Sequence, residues 1–181
     1  TDNMSLDRKK AELRLADGTV LSGWSFGYDA PSDGEVVFST AMVGYPESLT
    51  DPSYSGQILC LTYPLIGNYG VPQIEGKIYV RGLIITDYSF EYSHWRAVKS
   101  LDAWLKEHKI PAIYGVDTRQ LAQTLRDNGS MLGVISQKGD QTPWDVEDPN
   151  TVNLVASVSC KKVTHYGDFK KKVVLVDCGV R

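Results

Sequence analysis

The stretch Gly44-Tyr45-Pro46-Glu47-Ser48-Leu49-Thr50-Asp51-Pro52-Ser53-Tyr54-Ser55-Gly56-Gln57-Ile58-Leu59-Cys60-Leu61-Thr62-Tyr63-Pro64-Leu65-Ile66-Gly67-Asn68-Tyr69-Gly70 decides how the chain is organised. Its centre, residues 58–63, is a short apolar and β-branched run, which predicts a strand buried on both faces. Both flanks are dense in Gly, Pro, Asn, Asp and Ser, residues that accept turns and positive φ. One buried strand therefore carries a structured loop at each end. Loops held by a rigid strand are where binding groups gather; the competing reading is a pair of ordinary tight turns.

Working outward, Ala11 to Leu15 alternates apolar and charged residues, Asp17-Gly18 turns, and residues 19–26 return with β-branched and aromatic side chains, a hairpin signal. Residues 28–34 read as a loop and 35–40 as the next strand, its Val36-Val37-Phe38 run suggesting burial. Beyond the central stretch, residues 73–77 are polar, 78–86 read as a strand, and 87–95 as an aromatic-rich loop. Ser100 can cap a helix with Asp102 in its first turn, where the helix dipole favours an acid. Leu101, Trp104, Leu105 and His108 then share one face. His108 reads as a cation at the helix's negative end rather than a catalytic group. Pro111 opens a strand ending at Tyr114 or Val116.

Asp117 reads as the N-cap of a second helix with Leu121, Ala122 and Leu125 as its buried stripe. Asn128-Gly129 stops that helix in a left-handed conformation. Thr118 and Arg119 are either capping and surface residues or a contact with a partner domain. Residues 131–135 predict a strand, 137–153 an irregular connection, and 154–159 and 162–165 short strands. Val173-Val174-Leu175-Val176, ending in Asp177-Cys178-Gly179, reads as a central parallel strand of an α/β sheet. Such a strand needs neighbours, and we expect it to open a second domain that continues past Arg181. The expected division is a polar tail at 1–10, a main domain at 11–160, a linker at 161–172 and the start of the next domain at 173–181.

Composition narrows the class. With 42% hydrophobic and 23% charged residues over 181 positions, the chain suits one soluble globular domain with a real core. A net charge of −3 argues against a nucleic-acid binder, which needs a basic surface. No apolar run approaches the ~20 residues of a membrane span, and the polar N-terminus has no signal-peptide core. The three cysteines, Cys60, Cys160 and Cys178, form no Cys-x-x-Cys and suggest neither a zinc site nor a disulfide framework. Reduced thiols fit a cytoplasmic protein, with the mitochondrial matrix as the alternative. Cys60, in mid-strand, reads as a small hydrophobe.

Several motifs in order carry a resemblance: Gly-Tyr-Pro-Glu-x-Leu-Thr-Asp-Pro-Ser-Tyr from Gly44, Gln57-Ile58-Leu59, and Thr-Tyr-Pro-Leu-Ile-Gly-Asn-Tyr-Gly from Thr62. Gly34-Glu35-Val36-Val37-Phe38, Gly115-Val116-Asp117-Thr118-Arg119 and Asp177-Cys178-Gly179 extend it. From about residue 12 to 181 the chain resembles the small (glutaminase) chain of glutamine-dependent carbamoyl phosphate synthetase, most of all its fused eukaryotic forms. The resemblance implies the family's N-terminal domain, a mixed α and β layered fold of the swivelling β/β/α type, followed by a glutamine amidotransferase domain. It implies an enzyme that makes carbamoyl phosphate from glutamine, bicarbonate and ATP for pyrimidine or arginine synthesis. ATP and Mg would belong to a synthetase part, on the large chain or fused, that this domain docks. The family's relatives carry a longer, partly helical insertion before the strand at 78–86; either this chain is a short variant, or residues between Pro72 and Ile78 are missing from the sequence.

The resemblance places one site residue here. The Ser of Asp-Pro-Ser-Tyr, Ser53, would lie at the edge of the glutamine pocket and contact the substrate amino acid. A hydroxyl both donates and accepts, so it suits such a ligand; the alternative is a turn hydroxyl bonding its own backbone. No catalytic residue is expected in this chain. The family's nucleophile sits on Gly-x-Cys-x-Gly, which is absent, and Cys178 is preceded by Val176 at the Gly position. No Walker-type phosphate loop occurs either. The 181 residues alone are therefore expected to be inactive. Two alternatives stand beside this reading: a purely structural docking domain, and the same domain of the ammonia-dependent mitochondrial relative, whose nucleophile is replaced.

Overall fold

The computed structural model describes residues 8–40, 44–62, 71–72, 76–88, 97–140, 148 and 151–177, the side chains of 72, 97 and 98 excepted. The expected hairpin is present. β1 (Lys10–Leu15) and β2 (Val20–Gly27) pair antiparallel with Leu13 opposite Leu21. Asp17 stabilises the turn, its Oδ1 accepting from the Thr19 amide at 2.8 Å. There follow β3 (Ser32–Ser39), α1 (Tyr45–Leu49), β4 (Gln57–Leu61), β5 (Val71–Pro72), β6 (Gly82–Ile84), β7 (Ala97–Lys99) and α2 (Leu101–Glu107). The remaining elements are β8 (Pro111–Tyr114), α3 (Thr118–Asn128), β9 (Met131–Gln137) and α4 (Leu154–Val158).

Seven strands close into a barrel in the order β1-β2-β8-β6-β4-β3-β9, with β9 returning to β1. β3, β4, β6 and β8 run parallel, and the other barrel pairings are antiparallel. β5 and β7 form a separate two-stranded ribbon. The parallel strands explain the composition of the central stretch. Parallel strands are covered on both faces and so read as continuous apolar runs. In β4, Ile58 and Cys60 point into the barrel with Leu13, Val36, Ile84, Ile113 and Ile135. Leu59 and Leu61 point outward into a second core with Leu49, Leu83, Leu101, Trp104 and Leu105. β4 thus lies between two cores, as its sequence predicts.

The helices supply the covers. Ser100 caps α2, its Oγ accepting from the Ala103 amide at 3.2 Å, and Leu101, Trp104 and Leu105 face the outer core. His108 ends that helix half-buried, with Nδ1 3.0 Å from the Trp104 carbonyl. Asp117 caps α3 by accepting from the Gln120 amide at 3.0 Å, and Leu121 and Leu125 join the barrel interior.

Several expectations are corrected. Residues 154–159 are not a strand: Asn153 caps a helical turn by accepting from the Ala156 amide at 3.0 Å, a local bond that outweighs the β-branched composition. Residues 162–165 form no strand. Val173-Val174-Leu175-Val176 pair with no strand of this barrel and stand 73–94% exposed. The barrel is closed and presents no edge for these segments to join. The strand expected over 78–86 is confined to Gly82–Ile84. The strand after the hairpin begins earlier than expected, at Ser32, where it pairs with Ile135. Gly129 has φ +82 but ψ 174, so it leaves the helix extended rather than in the left-handed helical well. The tail 1–7, the far flank 63–70, most of the 73–77 and 87–95 segments, most of 141–150, and Cys178-Gly179 lie outside the described residues.

Candidate functional site

The near flank of β4 is a chain of turns pinned at both ends. Gly44, at φ +80, starts α1, with Pro46 in its first turn, where proline's missing amide costs nothing. Tyr45, Pro46 and Leu49 are buried, so the short helix is held by packing. The Thr50 hydroxyl donates to the Pro46 carbonyl at 3.0 Å, and the Tyr79 amide donates to the Leu49 carbonyl at 2.9 Å. Asp51 is extended, as a residue before proline must be, and caps a single 3-10 turn, Pro52–Tyr54. Gly56, at φ +78, then feeds the chain into β4.

Ser53 sits exposed on that turn. Its amide and its hydroxyl both donate to the same oxygen, Oδ1 of Asp51, at 2.9 and 2.7 Å. The hydroxyl bonds the Asp51 side chain rather than its own backbone, and Ser53 lines an open groove. The groove is about 320 Å³. Asp51, Pro52, Ser53 and Ser55 line one side, and Leu154, Val155 and Val158 of α4 line the other. An aliphatic wall facing two hydroxyls and a carboxylate suits a small ligand with a methylene stem and a polar head.

The sequence reading missed two features of this site. The α4 wall comes from a segment about a hundred positions away, and no local signal ties it to Ser53. The role of Asp51 was legible in principle, because an Asp two positions before a donor is the pattern of an Asx turn.

Thr118 is only 2% exposed and its hydroxyl lies 2.5 Å from that of Thr86, so it is not a surface contact, whereas Arg119 is exposed. Cys60 is enclosed in the barrel, and burial pushes its thiol up to about 12, which makes it inert. Among the described residues no group of three or more His, Cys, Asp or Glu could hold a metal ion. Among them, too, no helix is long and apolar enough to cross a membrane.

Fold and site together define a small mixed α and β barrel domain that presents a turn-built polar loop to a groove. Comparison with known proteins makes this specific: the chain belongs to the carbamoyl-phosphate synthase small chain family, whose CPSase domain model matches residues 13–135. It is 47% identical to human "Carbamoyl-phosphate synthase [ammonia], mitochondrial", over 98% of this chain and 13% of that protein. It is 46% identical to "Multifunctional protein pyr1-3" of Dictyostelium discoideum, over 97% of this chain and 9% of that one. It is 45% identical to the "Carbamoyl phosphate synthase arginine-specific small chain" of Saccharomyces cerevisiae, over 98% of this chain and 47% of that one. The chain therefore spans less than half of each of these three relatives. The human alignment runs over 192 positions, more than the 181 residues here, so that relative carries additional residues within the shared span.

Proposed function

We propose that this chain is the N-terminal domain of the glutaminase portion of a carbamoyl phosphate synthetase, bordering the glutamine pocket through Ser53 and docking the synthetase part. The observation that carries this reading is the family match over 13–135, joined to identities of 45–47% over nearly the whole chain. In the whole protein, glutamine is hydrolysed to glutamate and ammonia by the amidotransferase domain. ATP, Mg and bicarbonate act in the synthetase part. The product, carbamoyl phosphate, feeds pyrimidine or arginine synthesis in the cytoplasm. The barrel with its outer helices corresponds in this reading to the swivelling β/β/α arrangement, and residues 173–181 to the first strand of the amidotransferase domain. The chain's own contribution is to hold the substrate amino acid, because Ser53 presents a fixed oxygen at the groove and no nucleophile turn accompanies it.

The test is glutamine-dependent against ammonia-dependent synthesis in the complete enzyme. Ammonia bypasses the pocket, whereas glutamine must be held in it. A hydrogen bond to a charged ligand group contributes on the order of 1.5–3 kcal/mol, roughly tenfold or more in affinity. Ser53→Ala is therefore expected to raise the Michaelis constant for glutamine about tenfold and to leave ammonia use far less affected. Equal loss of both activities would remove Ser53 from the pocket. A second reading, the same domain of an ammonia-dependent mitochondrial enzyme, is favoured by the name the human relative carries. Glutamine-dependent synthesis by the wild-type complete protein excludes it.

A further inference from the structure

We infer that Asp51 is a positioning residue for glutamine use, acting through Ser53; the inference rests on the placement of Ser53 at the glutamine pocket. The geometry is specific. Asp51 Oδ1 takes two hydrogens from one residue, the Ser53 amide at 2.9 Å and the Ser53 hydroxyl at 2.7 Å. The amide bond alone would cap the turn. The hydroxyl bond is additional, and it selects one of the three staggered positions open to a serine side chain.

The backbone favours this arrangement. Pro52 forces Asp51 into the extended region, φ −79 and ψ 119, so its carboxylate folds forward over the turn and meets Ser53. The turn is anchored by the buried α1 on one side and by β4 on the other, so the oxygen that Asp51 fixes is fixed relative to the whole barrel. Both Asp51 and Ser53 line the groove. A serine at an exposed turn otherwise distributes its hydroxyl over several rotamers, and a ligand must then select one at an entropic cost. Asp51 removes that cost in advance, and its bond to the hydroxyl hydrogen leaves the Oγ lone pairs turned outward.

The loss expected on removing the lock follows from the rotamer count. Spreading the hydroxyl over three staggered wells weakens binding about threefold, and detaching the amide cap loosens the turn further, so about three- to tenfold is expected in the glutamine Michaelis constant. The experiment uses the complete enzyme with Asp51→Ala, Ser53→Ala and the double variant. It reads kcat and KM for glutamine, the ammonia-dependent rate and the melting temperature. Asp51→Ala should raise KM for glutamine, with a much smaller change in the ammonia-dependent rate. In the Ser53→Ala background the same substitution should do less, because its target hydroxyl is gone. Asp51→Asn, which keeps an acceptor oxygen in place, should recover most of the KM. If Asp51→Ala does not fold, Asp51→Ser replaces it, since serine caps a helical turn comparably but its oxygen, one bond nearer the backbone, falls short of the Ser53 hydroxyl.

A lower melting temperature with an unchanged glutamine KM would overturn the inference, as would fully additive effects of the two substitutions. The pocket reading and the role of Asp51 fail separately. If Ser53→Ala leaves glutamine use intact, the pocket reading fails. If Ser53→Ala weakens it and neither Asp51→Ala nor Asp51→Ser does, only the role of Asp51 fails.

Discussion

Replacing Asp102 tests how the outer helix is fastened to the barrel. Asp102 lies in the first turn of α2, where helix electrostatics already favour an acid. The structure adds a tertiary bond: Oδ1 accepts from the Gly27 amide at 2.7 Å, while Oδ2 accepts from Lys106 Nζ at 2.6 Å. Gly27 is buried at the end of β2, opposite Pro111 of β8. With alanine at 102 the Gly27 N–H is left without its acceptor, a desolvation cost of about 1–3 kcal/mol. Loss of the favourable dipole interaction adds about 0.3–1 kcal/mol. The Lys106 pair is exposed and adds little. We expect Asp102→Ala to destabilise by about 2–3 kcal/mol, a fall in melting temperature of roughly 4–12 °C for a chain of this size. Asp102→Asn retains an acceptor for Gly27 and should lose only about 1 kcal/mol or less. Urea denaturation of both variants measures the difference. Equal losses for alanine and asparagine would refute the reasoning, because then the bond to Gly27 is not what holds the helix.

Other outcomes follow from the barrel. Gly133→Ala places a Cβ 2.6 Å from Val36 Cγ2 and 3.2 Å from Leu15 Cδ2 in the barrel interior, where β-branched Val36 cannot swing aside. It should cost about 1–3 kcal/mol in denaturant unfolding, and an unchanged midpoint would show that the interior is looser than described. Cys60 should resist alkylation in the native protein at pH 8 while exposed Cys160 reacts, which peptide mass spectrometry can read. Its thiol is held protonated to about 12, against an ordinary value of 9.0, so the unfolded state sheds its proton first and Cys60 draws stability down as pH rises between those values. Cys60→Ala should make the alkaline decline shallower over that window, by at most about 1.4 kcal/mol per pH unit. An identical slope in the two proteins would contradict the assignment.

The sequence alone determined what depends on near neighbours and on alternation. The Asp17-Gly18 hairpin, the caps at Ser100 and Asp117, the stripes of α2 and α3, and the two-faced burial of the 58–63 run are all local signals, and each is present in the structure, the last over 58–61, where β4 ends. So is the polar loop that carries Ser53, because Pro, Asp and Gly restrict the backbone wherever they stand. Tertiary structure decided the rest. Closure of seven strands into a barrel is a pairing of distant segments, β9 with β1 and β8 with β6, which no window of sequence contains. Asp102 reads locally as a helix-dipole residue and becomes a cross-link only when Gly27 arrives from 75 positions away. Residues 154–158 favour a strand by composition, yet the closed barrel offers no edge and the Asn153 cap makes them a helix. The groove beside Ser53 exists only because that helix lies across from a turn a hundred residues earlier. Side-chain chemistry is written residue by residue, but which side chains share a surface is fixed by long-range pairing and burial, and these are properties of the folded chain.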